Sequence, residues 1–196
     1  MEGAETLWLT EAGQLTQAAG IAARALRDDP DWAAVSGDPL VRLEMLHDMF
    51  TGTLGGARVA GVRRGDRLLG VAAAFGPGHC VGARLPPGAR TLEAPTEGAS
   101  DADRLLYLRS VLADHDLDEP QWHVGPVGVE PGVQSMGMGR AAMTLLCEEF
   151  DEHGRVSWVK TAKSGNLRFY GGLGFEVVDE APMLAVRLWF MRRPPR

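Results

Sequence analysis

Cysteine is scarce in this chain. There are two, Cys80 and Cys147, far apart and in no C-x-x-C pair, so neither a disulfide framework nor a cysteine-built zinc site is written into the sequence. Both are expected to be reduced, buried thiols. The five histidines, His47, His79, His115, His123 and His153, form no H-x-x-x-H and no cluster with cysteine, and nothing points to a metal. No apolar run approaches the roughly eighteen residues of a membrane span. Met1-Glu2-Gly3-Ala4-Glu5 is acidic and lacks the basic and apolar regions of a secretory signal. Basic residues are outnumbered, 20 Lys and Arg against 26 Asp and Glu, for a net charge of −6. That balance argues against a sequence-independent grip on nucleic acid and mildly suits a cationic partner through long-range attraction. A cytoplasmic, soluble protein with no nucleic-acid and no membrane partner is the expectation.

What is present suits one domain spanning residues 1–196. The hydrophobic fraction is 45%, enough to build a core. Leu15, Ala18, Ala19, Ala22, Ala25 and Leu26 fall at helical spacing. Asp28-Asp29-Pro30 stops that helix, since proline cannot continue the ladder. Asp38-Pro39 offers an N-cap and a first-turn proline for a second helix ending at Gly55-Gly56. Ala57–Val62 and Leu68–Phe75 read as a hairpin around Gly65-Asp66. Gly76–Ser100 is rich in Gly and Pro, a loop long enough to be functional. A helix over Asp101–Leu112 follows, then a strand over Gln121–Val129, a helix over Gly137–His153 and a strand over Val156–Lys160. A short helix over Asn166–Gly172 and strands over Phe175–Val178 and Met183–Met191 complete an α/β (α+β) unit.

The stretch from Val127 to Arg140, VGVEPGVQSMGMGR, is a strand, a tight turn and a helix start. Gly137 and Gly139 leave the backbone bare, so successive N–H groups can face one anion with help from the helix dipole. Arg140 adds a charge that can pair with phosphate. No Gly-Lys-Ser/Thr follows, which excludes a Walker A loop, and the glycines do not fall at G-x-G-x-x-G, which excludes a Rossmann turn. One strand later comes Asn166 to Phe175, NLRFYGGLGF.

Taken together and in this order, the two segments resemble the GCN5-related N-acetyltransferase (GNAT) superfamily. Gln134 to Gly139 matches its Q/R-x-x-G-x-G/A pyrophosphate loop, and Asn166 to Phe175 matches its N-x-x-F-Y-x-x-x-G-F element. The closer likeness is to puromycin acetyltransferase-like members. It is carried by Glu119 to Pro131 (EPQWHVGPVGVEP), Asp28-Asp29-Pro30, the helix from Asp38 to Leu54 and the closing Leu188 to Arg192 (LWFMR); the loop from Gly76 to Ser100 matches least. The resemblance implies a central mixed, mostly antiparallel sheet splayed between two parallel strands, Trp122–Val129 and Val156–Lys160, with acetyl-CoA as co-substrate and no metal. Backbone groups of Val127 and Val129, with Gly128 between them, would pair with the pantetheine arm. Amides of Ser135, Met136, Gly137, Met138, Gly139 and Arg140, after Gln134, would hold the pyrophosphate. Asn166 would bond the cofactor, and Tyr170 would lie near its sulfur. A homodimer is common in such a family.

Three departures stand out. Ser135-Met136 replaces the Gly and basic residue often found in the loop. Gly171-Gly172 replaces charged helix formers, at about 1 kcal/mol each in a helix interior, which predicts a short helix. Lys160 stands where this branch often has Glu.

Acetyl transfer to an amine needs a deprotonated nucleophile, fixed N–H donors for charge building on the thioester oxygen, and a proton for the leaving thiolate. Tyr170 carries a phenolic donor. His123 has an ordinary pKa of about 6.5, suited to accepting a proton near neutrality, and shares strand parity with Val127 and Val129 if no bulge intervenes. Glu130 is the second candidate base, and the backbone at Gly128–Val129 the candidate oxyanion donor. Trp122, Trp158 and Trp189 read as core aromatics. Asp28, Asp29, Asp31, Glu44 and Asp48 flank the early helices, mostly as solvated faces. The expected function is transfer of acetyl to a primary amine of a small molecule by direct attack in a ternary complex. The alternatives are a non-catalytic acyl-CoA-binding sensor, or an acyltransferase acting on a protein N-terminus or with a longer acyl chain.

Overall fold

The computed structural model describes residues 3–79, 85, 92–117 and 119–196. Seven strands form one sheet: β1 (Ala4–Trp8), β2 (Arg58–Arg64), β3 (Arg67–Phe75), β4 (Gln121–Val129), β5 (Val156–Thr161), β6 (Glu176–Met183) and β7 (Val186–Arg193). Their spatial order is β1-β2-β3-β4-β5-β7-β6. Every neighbouring pair is antiparallel except β4 with β5. The mixed, mostly antiparallel sheet expected from the motifs is therefore present.

Helices cover both faces. On one lie α1 (Ala12–Leu26), α2 (Pro30–Val35), α3 (Pro39–Thr53) and α4 (Asp101–Asp114). Their apolar sides close over Val71, Trp158, Leu188 and Phe190. The part of α1 facing the sheet is built from small residues, Ala18, Ala19, Ala22 and Ala23, all fully buried, which lets the helix lie close to the strands. On the other face lies α5 (Met138–Glu152), which packs Ala142, Met143, Leu146 and Phe150 against Trp122, Val124 and Val159. The last helix, α6 (Gly165–Gly171), is two turns long, as the glycine pair at its end requires.

Four elements depart from the sequence expectation. Ala4–Trp8 had been given no strand and forms the sheet edge against β2. Pro30 does more than stop α1: with Asp29 as N-cap residue it opens α2, because a first-turn proline lacks only an N–H that would be unsatisfied anyway. The last two strands start and end later than their apolar runs do. Of the two cysteines, Cys147 is buried in the α5 layer and burial pushes its thiol up to about 11; Cys80 lies outside the described residues, as does part of the Gly76–Ser100 loop. Trp122 and Trp158 are core residues, whereas Trp189 is half-buried. Among the described residues no helix is long and apolar enough to cross a membrane.

Candidate active site

The site begins where the parallel ladder ends. β4 and β5 pair from Gln121 with Val156 to Val124 with Val159. Beyond Val124, β4 runs on to Val129 paired with β3 alone, and the edge that faced β5 opens into a groove. At the end of β4 the chain turns tightly: Glu130 N donates to Leu69 O at 2.8 Å and Val133 N to Glu130 O at 3.1 Å. Gln134 Nε2 donates back to Val129 O at 3.3 Å. Ser135 and Gly137 both take positive φ, 63° and 85°, which aims the backbone of the turn into the start of α5. Gly137 is the N-cap residue of that helix, with no side-chain cap, so first-turn N–H groups stay available to an anion.

Close approach demands the glycine at Gly128, whereas Gly139 leaves room for an ordinary contact. A Cβ at Gly128 would lie 3.0 Å from Ala25 Cβ and 3.1 Å from Ala22 Cα on α1, and one at Gly139 would lie 3.4 Å from Val129 Cγ2. The resulting groove, about 420 Å³, gathers Val127, Gly128, Val129, Gln134, Ser135, Gly137, Gly139, Arg140, Asn166 and Tyr170. Arg140 rests along it, donating from Nη1 to Gly172 O at 3.2 Å. A Cβ at Gly172 would lie 2.5 Å from Nη2 of that guanidinium and displace it. Asn166 Nδ2 donates to Thr161 Oγ1 at 3.0 Å. Met136 and Met138 are not among the groove's lining residues. Met136 is 46% exposed, and Met138 is 1% exposed because its side chain packs down onto Gly70.

A second cavity, about 290 Å³, opens toward the α1–α4 layer. Leu26, Asp29, Val127, Asn166 and Tyr170 border both spaces, so the two meet at that wall. Tyr170 is buried. Its ring packs edge-on against Phe169 and Phe175, with centroids at 5.0 and 5.8 Å. Burial, and then the carboxylate of Asp29, push its pKa well up, so it remains a neutral phenol.

His123 lines the second cavity, its ring tilted against Trp158 at a centroid distance of 4.6 Å. Its side chain does not share a face with Val127 and Val129, as strand parity alone predicts. The β3–β4 register shifts between Ala72–Val127 and Ala74–Val124, so one extra β4 residue is accommodated around Gly125-Pro126 and the alternation inverts. His123 lies on the α1–α4 side with Trp158, while Val127 and Val129 pack toward α5. Glu130 borders neither cavity. Arg24 grips it with a fork of bonds, Nε to Oε1 at 3.0 Å and Nη2 to Oε2 at 2.9 Å, which ties α1 to the turn and makes Glu130 a structural carboxylate.

Two further ion pairs were not foreseen. Asp29 and Asp31, expected on a solvated face, are buried. Asp31 pairs with Lys160 on β5, and Asp29 with Lys163 just beyond it. Lys160 also sits 5.3 Å from the Trp32 ring centroid; burial pushes its pKa down to about 8. Asp29 is held above the usual carboxylate range by burial, against the pull of Lys163.

Residues 27–175 match the family model for the acetyltransferase (GNAT) family, and the chain belongs to that family. Solved structures share its fold from end to end. A protein of Corynebacterium glutamicum described as histone acetyltransferase HPA2 and related acetyltransferase superposes with a TM-score of 0.70 at 14% identity, covering 99% of this chain and 97% of its own. The polyamine N-acetyltransferase of Drosophila melanogaster, which forms N-acetylagmatine, gives 0.71 at 14% identity, with 97% and 99% covered. The yncA protein of Salmonella typhimurium, solved with its cofactor acetyl-CoA, gives 0.58 at 16% identity, with 100% and 95% covered. The likeness to puromycin acetyltransferases rests on the sequence motifs alone.

Proposed function

We propose that this protein transfers an acetyl group from acetyl-CoA to a primary amine of a small molecule, by direct attack in a ternary complex. The observation that carries the reading is the meeting of two spaces at Tyr170: a groove walled by bare backbone, and an apolar cavity of small-molecule size. The groove fits coenzyme A by its own chemistry. It offers an open strand edge from Gly125 to Val129, suited to an extended amide-bearing arm, and an uncapped helix start beside Arg140, suited to a pyrophosphate. Gln134, Ser135, Gly137, Gly139 and Arg140 would hold the phosphates, with the amides of Met136 and Met138 completing the turn. Val127, Gly128, Val129 and Asn166 would hold the arm.

The bound donor supplies a thioester, and the remaining chemistry belongs to this chain. Tyr170 keeps its proton over the working pH range and donates it to the departing sulfur. His123, in the acceptor cavity, takes a proton from the incoming ammonium directly or through water. The Gly128–Val129 backbone would supply fixed donors for charge on the carbonyl oxygen. An amine is what the relative from Drosophila melanogaster acetylates, and the cytoplasm, where acetyl-CoA is made and used, is the compartment this reading implies.

The test has two parts. Coenzyme A at about a hundred times its Kd should stabilise the fold by about 2.7 kcal/mol, or roughly 5–10 °C for a chain of this size. Thiol release should then depend on an added amine. Coenzyme A binding with no amine-dependent release across a broad panel would favour the sensor alternative. In His123→Gln the acidic limb of kcat/KM should vanish or move, with about a 10²-fold loss of rate. Retention of both rate and limb would remove His123 from the mechanism.

A further inference from the structure

The charges around the acceptor cavity do not balance as a site for a polycation would. Its carboxylates among the described residues are Asp29 and Asp31. Both are already held, by Lys163 and Lys160, and Asp31 is only 1% exposed. A second cation on the acceptor would have to compete with those ammonium groups, and displacing Lys160 would leave it largely buried without its partner, which is costly. The rest of the wall offers a distal cation no further carboxylate among the described residues, only neutral groups such as Thr53, Thr161 and Asn166. Leu26, Trp32, Met49, Phe50, Leu105 and Leu108 make much of it apolar, and apolar walls raise the cost of a bare charge. The cation left over is on the protein. Arg109, on α4, borders the same cavity, is exposed, and among the described residues has no ion-pair or hydrogen-bond partner. A guanidinium is a planar fork matched to a carboxylate.

We infer that the acceptor is a compact apolar amine that also bears a carboxylate, with Arg109 receiving that carboxylate, and that polyamines are poor substrates. The inference rests on the transferase reading above and names the substrate class of the same site. It runs against the overall charge of −6, which acts at long range and is screened beyond about 10 Å. It also parts company with the polyamine-acetylating relative from Drosophila melanogaster, whose 14% identity carries the fold and not the acceptor. The cavity of about 290 Å³ stands near the lower end of small-ligand sites, which keeps the apolar body small.

The experiment measures thiol release from acetyl-CoA with arylalkyl and alkyl amino acids, each matched to its own primary amide, and with agmatine and spermidine. The acid should exceed its amide about tenfold in kcat/KM, and both polyamines should fall below either. Arg109→Gln should bring the acid-to-amide ratio down about tenfold, and Arg109→Lys should restore part of it. Because that comparison uses the same pair of amines in each enzyme, their differing basicity cancels. An acid-to-amide ratio unchanged in Arg109→Gln, or a polyamine as the best acceptor, would overturn the inference while leaving the transferase reading intact. Coenzyme A that raises the melting temperature without thiol release from any amine would overturn both.

Discussion

Gly128→Ala adds a single methyl group where α1 crosses β4. Its carbon would sit 3.0 Å from Ala25 Cβ and 3.1 Å from Ala22 Cα, against the 3.5–4.0 Å at which carbon atoms attract best. One of those neighbours is backbone, and the helix has little freedom to retreat. Its inner residues Ala18, Ala19, Ala22 and Ala23 are fully buried, and Arg24 is tied to Glu130. Overpacking of this kind costs about 1–3 kcal/mol, or roughly 3–10 °C in melting temperature for a chain of this length. Ala25 and Leu26 also border the groove, so the displaced helix should reduce the stabilisation given by coenzyme A. Ala25→Gly removes the nearest atom. Alone it costs about 1 kcal/mol of helix propensity, yet combined with Gly128→Ala it should recover part of the loss, leaving a coupling of about 0.5–1.5 kcal/mol in a double-mutant cycle. Gly13→Ala makes the same chemical change on α1 itself, with no atom within 4 Å, and should raise the melting temperature instead. Thermal melts of the four variants with and without coenzyme A test all of this. A Gly128→Ala protein that melts with the wild type and binds coenzyme A equally would refute the claim that this glycine sets the helix-to-strand distance.

Tyr170→Phe removes only the hydroxyl and keeps the packing against Phe169 and Phe175. Turnover should fall about 10²-fold while the coenzyme A melting shift survives; full turnover with chemistry limiting the rate would make Tyr170 a packing residue. Asp151 holds the buried guanidinium of Arg193 through bonds of 2.8 and 2.7 Å, which keep its carboxyl below the ordinary range. That pair contributes stability at pH above the unfolded value of about 3.9, and the contribution is lost as pH falls through the lower folded value. Asp151→Asn should therefore cost about 2–3 kcal/mol near neutrality, with a gap from wild type that closes in urea melts below about pH 4; a gap that ignores pH would show that the charge is not what matters.

The residues of the candidate site that could be read in advance are those whose meaning is local. Gly137 and Gly139 sit at a strand-to-helix turn, where bare backbone has few uses. Asn166 and Tyr170 follow at a fixed distance on the next helix. The partners that proved illegible are distant in sequence. Lys160 with Asp31 and Lys163 with Asp29 join residues 129 and 134 apart, and no spacing rule announces such a pair. Asp29 and Asp31 looked solvated because an acidic run beside a proline usually is. The orientation of His123 failed for a different reason. Strand parity is reliable only through an unbroken ladder, and Gly125-Pro126 interrupts this one. A proline inside a strand is a warning of irregular pairing that period-two counting passes over. The edge strand Ala4–Trp8 buries none of its residues fully and shows little of the apolar alternation by which strands are found.

The two spaces that meet at Tyr170 are made of different materials, and they should tolerate change differently. The groove presents main-chain edges and glycines, which side-chain replacement can only obstruct. The cavity presents side chains from α1, α3 and α4, and Met49, Leu105, Leu108 and Arg109 border it without touching the groove. On the proposed reading, a library confined to those four positions would alter which amine enters while sparing the donor's seat. One that reached Leu26, Asp29, Val127, Asn166 or Tyr170 would disturb both halves at once. The protein is in this sense a fixed socket with an exchangeable fitting, and the five shared residues are the threads on which the fitting turns.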